Sequence, residues 1–404
     1  MTHDPKTYRF FLMTVDPVHV GTGGARLGRV DNPIVREPGT NLPKIPGSSL
    51  HGVIRTYAAH RYGKPQCAGQ GQQEGRQHCG RPTCPICYTF GYARDREGGH
   101  AGVVAIGDAR ILLFPVYSMV GPVWVTSPTA LYAAGFGEQD EEGNLRPFSV
   151  DANDEGKARW DFSAKQHLNL GWLMVNRENG LPFSPDDLPN EIPEQIRNRV
   201  VLVSDKLFSQ IVNSNLEVRT SVAINPETGA AEEKALFTYE AIPRATILSM
   251  DVVVSDYRGE FPGRQRLEEW EHLLQSEDCT DEVQERLRKW HLWKQNNEDE
   301  EKCRKALATA QQWLRDEKVI ENENTTWRWD RQTMQNVEQS PLGVVQAGLE
   351  WAEHLGVGGM GTRGFGRIRK LMDCPVETNG TLGSPCSNED DSHGGTGITE
   401  ESSP

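Results

Sequence analysis

Four cysteines at positions 67, 79, 84 and 87 fall within 21 consecutive positions of a 404-residue chain. Their spacing, C-x11-C-x4-C-x2-C, closes on Cys84-Pro-Ile-Cys87, a span that sets two thiolates on one tetrahedral ion. The segment between them is rich in Gly and Gln and too polar to fold alone, so a metal is the expected organiser. Soft sulfur ligands favour zinc, bound by Cys67, Cys79, Cys84 and Cys87, with His78 as the alternative to Cys67. A site filled by four protein ligands is structural, because it leaves no opening for a catalytic water. The opposing reading is reduced, unligated thiols. Cys279, Cys303, Cys374 and Cys386 are scattered and read as free thiols or packed side chains.

The formal net charge is -14, from 43 Lys and Arg against 57 Asp and Glu, which at first argues against a nucleic-acid partner. That charge is unevenly distributed. Residues 375–404 carry six acids and no base in a Gly/Ser/Thr-rich stretch, and are expected to form a disordered tail. Residues 1–110 carry fourteen Lys and Arg against eight acids, a local excess of +6. No run approaches the ~20 apolar residues of a membrane span. The first residues lack the apolar core of a signal peptide, so a cytoplasmic protein is expected.

Along the chain, Tyr8–Val15 reads as a strand that breaks at Asp16-Pro17, and Gly21, Gly23, Gly24 and Gly28 form a loop open to close backbone approach. Ser48-Ser49 precede apolar residues at helical spacing, with a hydroxyl placed to cap the first turn. Short strand-like runs follow at 103–106, 109–116, 123–125 and 200–203, and Ser204-Asp205 cap a helix over Lys206–Val212. Residues 216–224 and 235–240 flank a turn at 225–229, predicting an extended β-hairpin, and Ala245–Val254 is a further strand. Residues 264–331 differ in kind, with seventeen acids, thirteen bases and six tryptophans, and read as an insertion of two or three helices. Their charges suit a solvated face, and the tryptophans suit packing on the parent domain or on a partner subunit. Pro341 opens a last helix that stops at Gly356.

Two glycine-rich segments carry candidate chemistry. In Gly358–Arg367, glycines leave N–H groups open to phosphates, Arg363 and Arg367 supply charge, and Phe365 offers a stacking ring; a plain turn between helix and strand is the other reading. The segment from Val18 to Pro33 sets His19 and Asp31 on the flanks of a glycine loop. An aspartate beside RNA holds a divalent ion or acts as a base toward a ribose 2′-hydroxyl; alternatively Asp31 caps the Asn32-Pro33 turn.

His19-Val-Gly-Thr-Gly, Gly28-Arg-Val-Asp31-Asn-Pro, Ile45-Pro-Gly-Ser-Ser-Leu-His-Gly-Val-Ile-Arg55, Asp108–Val116, Val203–Phe208, Tyr239–Pro243 and the glycines at 358–366 occur in one order across residues 8–371. Together they resemble the RAMP superfamily of CRISPR proteins, specifically the backbone subunit of type III effector complexes of the Cmr (type III-B) branch. The cysteine loop is more typical of the Csm branch. The resemblance implies an α+β, ferredoxin-like (RRM-related) core in 1–263 and 332–374. A zinc loop at 64–92, a hairpin "thumb" at about 213–243 and the insertion at 264–331 elaborate that core. It implies partners: CRISPR RNA, single-stranded target RNA, other type III subunits and further copies of the chain. It also implies RNA cleavage beside a base pair that the thumb displaces, with Asp31 as the catalytic carboxylate and a divalent cation such as Mg or Mn. His19 matches the accompanying loop histidine, and Tyr239 or Glu240 falls where further active-site side chains lie. Lys44, Ser48, Ser49, His51, Arg55, Arg363 and Arg367 are the candidates for guide-RNA contacts. The alternative from another class is a subunit that binds CRISPR RNA and shapes the complex without cutting. A free-standing zinc hydrolase is disfavoured, because no H-E-x-x-H accompanies the cysteines.

Overall fold

The computed structural model describes residues 4–23, 30–69, 78–94, 98–149, 156–162, 166–224, 227–276, 278–294, 300–321, 324–330 and 338–376. The expected acidic tail from residue 377 onward, Cys386 and the 24–29 part of the first glycine loop lie outside these residues.

Eight strands position the site: β1 (Lys6–Thr14), β2 (Ala109–Val116), β3 (Val123–Thr126), β4 (Val200–Leu202), β5 (Glu217–Ile224), β6 (Ala231–Ala241), β7 (Ile247–Val254) and β8 (Ile368–Val376). The helices used below are α1 (Gly47–Arg61), α2 (Pro85–Phe90), α3 (Asp205–Ser214), α4 (Arg264–Leu274), α5 (Asp281–Lys289), α6 (Glu300–Arg315) and α7 (Pro341–Leu355). The main sheet runs β4-β3-β2-β7-β1-β8. β1 is antiparallel to β7 and to β8, and β7 is antiparallel to β2, whereas β4 joins β3 in parallel. Phe10, Phe11 and Leu12 are successive and fully buried, so both faces of β1 are covered. That explains its continuous apolar run, since a strand covered on one face alternates.

Helices α1 and α7 lie side by side, in contact at Gly348. A Cβ on Gly348 would stand 2.3 Å from the Ile54 carbonyl oxygen of α1, so this crossing has room for a hydrogen and no more. Gly348→Val is therefore expected to cost about 1–3 kcal/mol, read as a lower urea midpoint; an unchanged midpoint would show that the helices are not held at this distance.

The start of α1 differs from the expected serine cap. The helix begins at Gly47, after Pro46, without a side-chain cap from the flanking residue. Asp108 supplies the acceptor from across the fold: its Oδ1 accepts the Gly47 N–H at 2.8 Å, and its Oδ2 pairs with Lys44 Nζ at 2.5 Å. A carboxylate at a helix start also suits the macrodipole.

Among its described residues, the segment expected as an insertion contains three helices, α4 to α6, and a small hairpin, Lys318–Glu321 with Asn324–Trp327. Trp270, Trp290 and Leu307 belong to the same buried cluster as Phe10 and Leu50, so the tryptophans pack on the parent domain. The expectation of free thiols is corrected here. Cys279 and Cys303 form a disulfide, because the turn before α5 and the body of α6 bring their Cα atoms to 6.3 Å, within bridging range. Cys374 is also disulfide-bonded. Among the described residues no helix is long and apolar enough to cross a membrane.

Candidate functional site

Strands β5 and β6 form the long hairpin, paired from Glu217↔Ala241 outward. At its base, three successive residues of β6 hold the loop that follows β1. Thr238 donates its N–H (2.8 Å) and its hydroxyl (2.7 Å) to Asp31 Oδ2, and its Oγ1 accepts the Asp31 N–H at 3.0 Å. These bonds, the hydroxyl foremost, hold the Asp31 carboxyl below the usual aspartate range. Asp31 is exposed, and its Oδ1 has no partner among the described residues.

His19 is 7% exposed and lies edge-on to the Tyr239 ring, with centroids 5.6 Å apart. Its Nδ1 stands 2.6 Å from the Glu240 carbonyl oxygen. A carbonyl accepts and cannot donate, so Nδ1 carries the hydrogen and, in the neutral ring, Nε2 carries the lone pair. The second glycine segment closes over this histidine. Gly359 donates its N–H to the His19 carbonyl at 3.0 Å, and Gly358 has φ of +86° with its missing Cβ 2.2 Å from the same oxygen. Both the backbone sign and the space restrict position 358 to glycine.

Glu240 takes a different part from the one expected. Its Oε1 accepts from Arg36 at 2.6 Å and its Oε2 from the Ile34 N–H at 3.2 Å, so its carboxylate fixes the loop that carries Asp31. Phe365 is buried beneath Arg219 of β5, whose guanidinium sits 4.8 Å from the ring centroid, and so offers no open stacking face. Arg363 is exposed, while Arg367 pairs with Asp16 at 2.5 Å. Lys44, Ser48, Ser49 and His51 gather around the start of α1, with Ser48 exposed and His51 edge-on to Phe90 at 5.3 Å. Burial, then the nearby Arg55, pushes the His51 imidazole below its ordinary value.

The second constellation is the cysteine cluster. Cys67 ends a short 3-10 turn, Cys84 precedes α2 and Cys87 lies in its first turn. Sulfur separations are 3.3 Å for Cys67–Cys79, 3.6 Å for Cys67–Cys87, 3.7 Å for Cys79–Cys87 and 3.8 Å for Cys67–Cys84, and all four sulfurs lie within 4.8 Å of one another. These four sulfurs converge without His78, whose Nε2 lies 3.2 Å from the Ala68 carbonyl oxygen.

Arg55 also needs correction. It is 6% exposed, with Nε donating to the Cys67 carbonyl at 2.9 Å and Nη1 to the Gly91 carbonyl at 2.8 Å, so its guanidinium is turned into the cysteine loop and feels the charge of the four cysteines. A buried cation beside clustered thiolates offsets their charge. Lys64 takes a related position. It pairs with Glu317 at 2.6 Å, both side chains at most 5% exposed, and ties the cysteine loop to the insertion. Thr238, Arg36 and Arg219 were invisible as site residues in the sequence, because each acts on a partner far away along the chain.

A model of the RAMP superfamily matches residues 11–369. The chain is 28% identical over 265 residues, 62% of its length and 82% of the relative's, to the Pyrococcus furiosus protein named CRISPR system Cmr endoribonuclease Cmr4. A shorter stretch of 46 residues, 11% of this chain and 20% of the relative, is 46% identical to CRISPR system Cms endoribonuclease Csm3 of Mycobacterium tuberculosis. Similar solved structures include the type III-B Cmr-beta complex bound to cognate target RNA (TM-score 0.45, 18% identity, 63% of this chain and 87% of that one). Another is oligomeric Cmr4 from Pyrococcus furiosus (TM-score 0.40, 22% identity, 62% and 82%).

Proposed function

The chain belongs to the RAMP superfamily, and from that premise we propose that it is a backbone subunit of a type III CRISPR effector complex. In this reading it holds CRISPR RNA, works beside other subunits and copies of itself, and cuts complementary single-stranded RNA at Asp31. The observation that carries the reading is the hanging of Asp31 and His19 from adjacent residues at the base of one hairpin. The order β2-β7-β1-β8, antiparallel throughout with α1 and α7 as crossovers, supports a ferredoxin-like core. The β5–β6 hairpin is then the thumb. Its exposed Val218, Val222, Ile224 and Phe237 suit a wedge between stacked bases.

A nucleotide pushed out by that wedge leaves its neighbour's ribose free of A-form geometry, so the 2′-hydroxyl can line up with the adjacent phosphorus. Histidine Nε2, bearing the lone pair, accepts the hydroxyl proton while the Asp31 carboxylate orients the attack; as the O2′–P bond forms the P–O5′ bond breaks, leaving a 2′,3′-cyclic phosphate, and the departing 5′-oxygen takes its proton from water. Asp31 Oδ1 would hold a divalent cation such as Mg or Mn, which would supply positive charge to the phosphate oxygens. Exposed Arg363 is the first candidate for the guide backbone, followed by Arg367 and Lys44, whose charges are shared with Asp16 and Asp108. The complex assembled around this chain, given an end-labelled complementary RNA, is expected to release discrete fragments; intact target in a complex that binds it would leave the non-cutting scaffold.

The tetrathiolate would hold zinc. Tetrahedral zinc with sulfur at ~2.3 Å requires sulfur–sulfur distances of ~3.8 Å, and the separations of 3.3 to 3.8 Å lie close to that value. The metal would organise the loop without entering the cleavage step. Arg55→Met is expected to weaken zinc binding about 10- to 100-fold in competition with a chelator; unaltered affinity would remove Arg55 from the site's charge balance.

A further inference from the structure

A cavity of about 350 Å³ lies between the cysteine loop and the helical insertion, and none of its lining residues belongs to the hairpin base. Tyr92 and His100 line it from one side, Trp290 and His291 from the end of α5. The His100 and His291 rings stack, with centroids 5.6 Å apart and planes 24° from parallel. His291 is exposed and has φ of +57°, a left-handed conformation unusual outside glycine that persists where surrounding structure imposes it. Burial, then Arg258 and His291, pushes the His100 imidazole below its ordinary value, which favours an uncharged ring against its neighbour.

The polar part of the wall is one-sided. Among the lining residues, Arg81, Arg258 and Lys289 stand with a single carboxylate, Glu260, which Arg286 already holds at 3.0 Å and Lys289 approaches at 3.8 Å; outside the wall, Arg81 pairs with Asp316 and Lys289 with Glu285. The indole N–H groups of Trp270 and Trp290 and the Nε–H of Arg258, all in lining residues, are buried with no acceptor among the described residues. Arg81 also lines a second cavity of about 410 Å³ together with Arg315 and Lys318, where Asp316 balances Arg81 and Glu271 pairs with Lys318. Flat rings with surplus donors and cations call for a ligand that is planar at one end and anionic at the other.

We propose that this cavity binds a single nucleotide, its base against Tyr92, His100 and His291 and its phosphate against Arg81, Arg258 and Lys289. The volume falls at the small end of ligand sites, about 300–1,000 Å³, which suits one nucleotide and not two. Stacking on aromatic rings accepts any base, so purine and pyrimidine should both bind. The inference does not rest on cleavage at Asp31. The nucleotide has two sources, free in solution or the phosphorylated end of an RNA strand.

Calorimetric titration of the full-length, metal-loaded chain tests it with AMP, UMP, adenosine, inorganic phosphate and a 5′-phosphorylated RNA tetranucleotide. AMP and UMP, or the tetranucleotide, are expected to bind about tenfold or more tightly than adenosine or phosphate alone, with His291→Gly losing about tenfold or more of that affinity. Glycine adopts the left-handed backbone without strain, so this variant keeps the fold while removing the ring. Tighter binding of the tetranucleotide than of AMP identifies an RNA end as the ligand, and the reverse identifies a free nucleotide. The proposal is overturned if neither binds, if phosphate binds as well as AMP, or if His291→Gly binds with unchanged affinity, which would place the ligand elsewhere.

Discussion

Asp31→Ala, introduced into the assembled complex, is expected to slow target-RNA cleavage by about 10²- to 10⁴-fold, the range of a positioned acid–base group, while target binding stays within twofold of normal, an estimate of about 0.4 kcal/mol or less. The separation follows from the geometry. Asp31 is exposed and its side chain bonds to Thr238 alone among the described residues, so removing it deletes a carboxylate without opening the core. Asp31→Asn keeps the volume and one hydrogen-bond acceptor yet loses the charge, and should be nearly as slow. Thr238 holds the Asp31 carboxyl below the usual aspartate range, so it is ionised throughout the neutral range. Its protonation therefore adds no limb to the rate profile in the neutral range. Unchanged fragments from the Asp31→Ala complex would defeat the assignment and leave the scaffold reading in its place.

The Cys84→Ser/Cys87→Ser double variant is expected to be the most destabilising change in the chain. Structural zinc contributes roughly 10–16 kcal/mol of binding free energy to small tetrathiolate sites, and these two cysteines provide half the ligands. The damage should spread. Lys64, just before the cluster, and Arg81, between Cys79 and Cys84, bind Glu317 and Asp316 of the insertion. Tyr62 packs edge-on against Trp329 at 5.1 Å. Loss of the loop should therefore appear as altered tryptophan emission from the insertion as well as loss of the metal. Elemental analysis should find about one zinc per wild-type chain and none in the variant. Wild-type protein that contains no zinc when purified without chelators, or a metal-free variant of full stability, would rule out the structural role.

Much of the architecture is legible in one dimension because local physics dictates it. The apolar run Phe10–Met13 of β1, the turn residues between β5 and β6, and the helical periods of α4 to α6 each announce their element. The cysteine spacing names its own ligands. What resists reading is pairing over long separations. The bonds His19–Glu240 and Asp31–Thr238 join residues 221 and 207 positions apart, and no local pattern marks Thr238 as the partner of a carboxylate. The start of α1 shows the same limit: serines at 48 and 49 fit the cap pattern, yet Asp108 accepts the Gly47 N–H from 61 positions away. Charge misleads for a related reason. An arginine in an amphipathic helix reads as a surface group, but Arg55 faces four sulfurs that gather only once the loop has folded. Glu240 likewise reads as a chemical group until Arg36 and the Ile34 N–H are seen to occupy both of its oxygens.

The attachment of the Asp31 loop to Thr238, Tyr239 and Glu240 makes the hairpin a lever with Asp31 and His19 at its fulcrum. On the proposed function, a base pair that loads the tip would strain the same strand that sets the carboxylate and the imidazole. Fidelity can then be exercised after docking: a target mispaired at the wedged position would remain bound through its other pairs, yet leave the lever unloaded and the strand uncut.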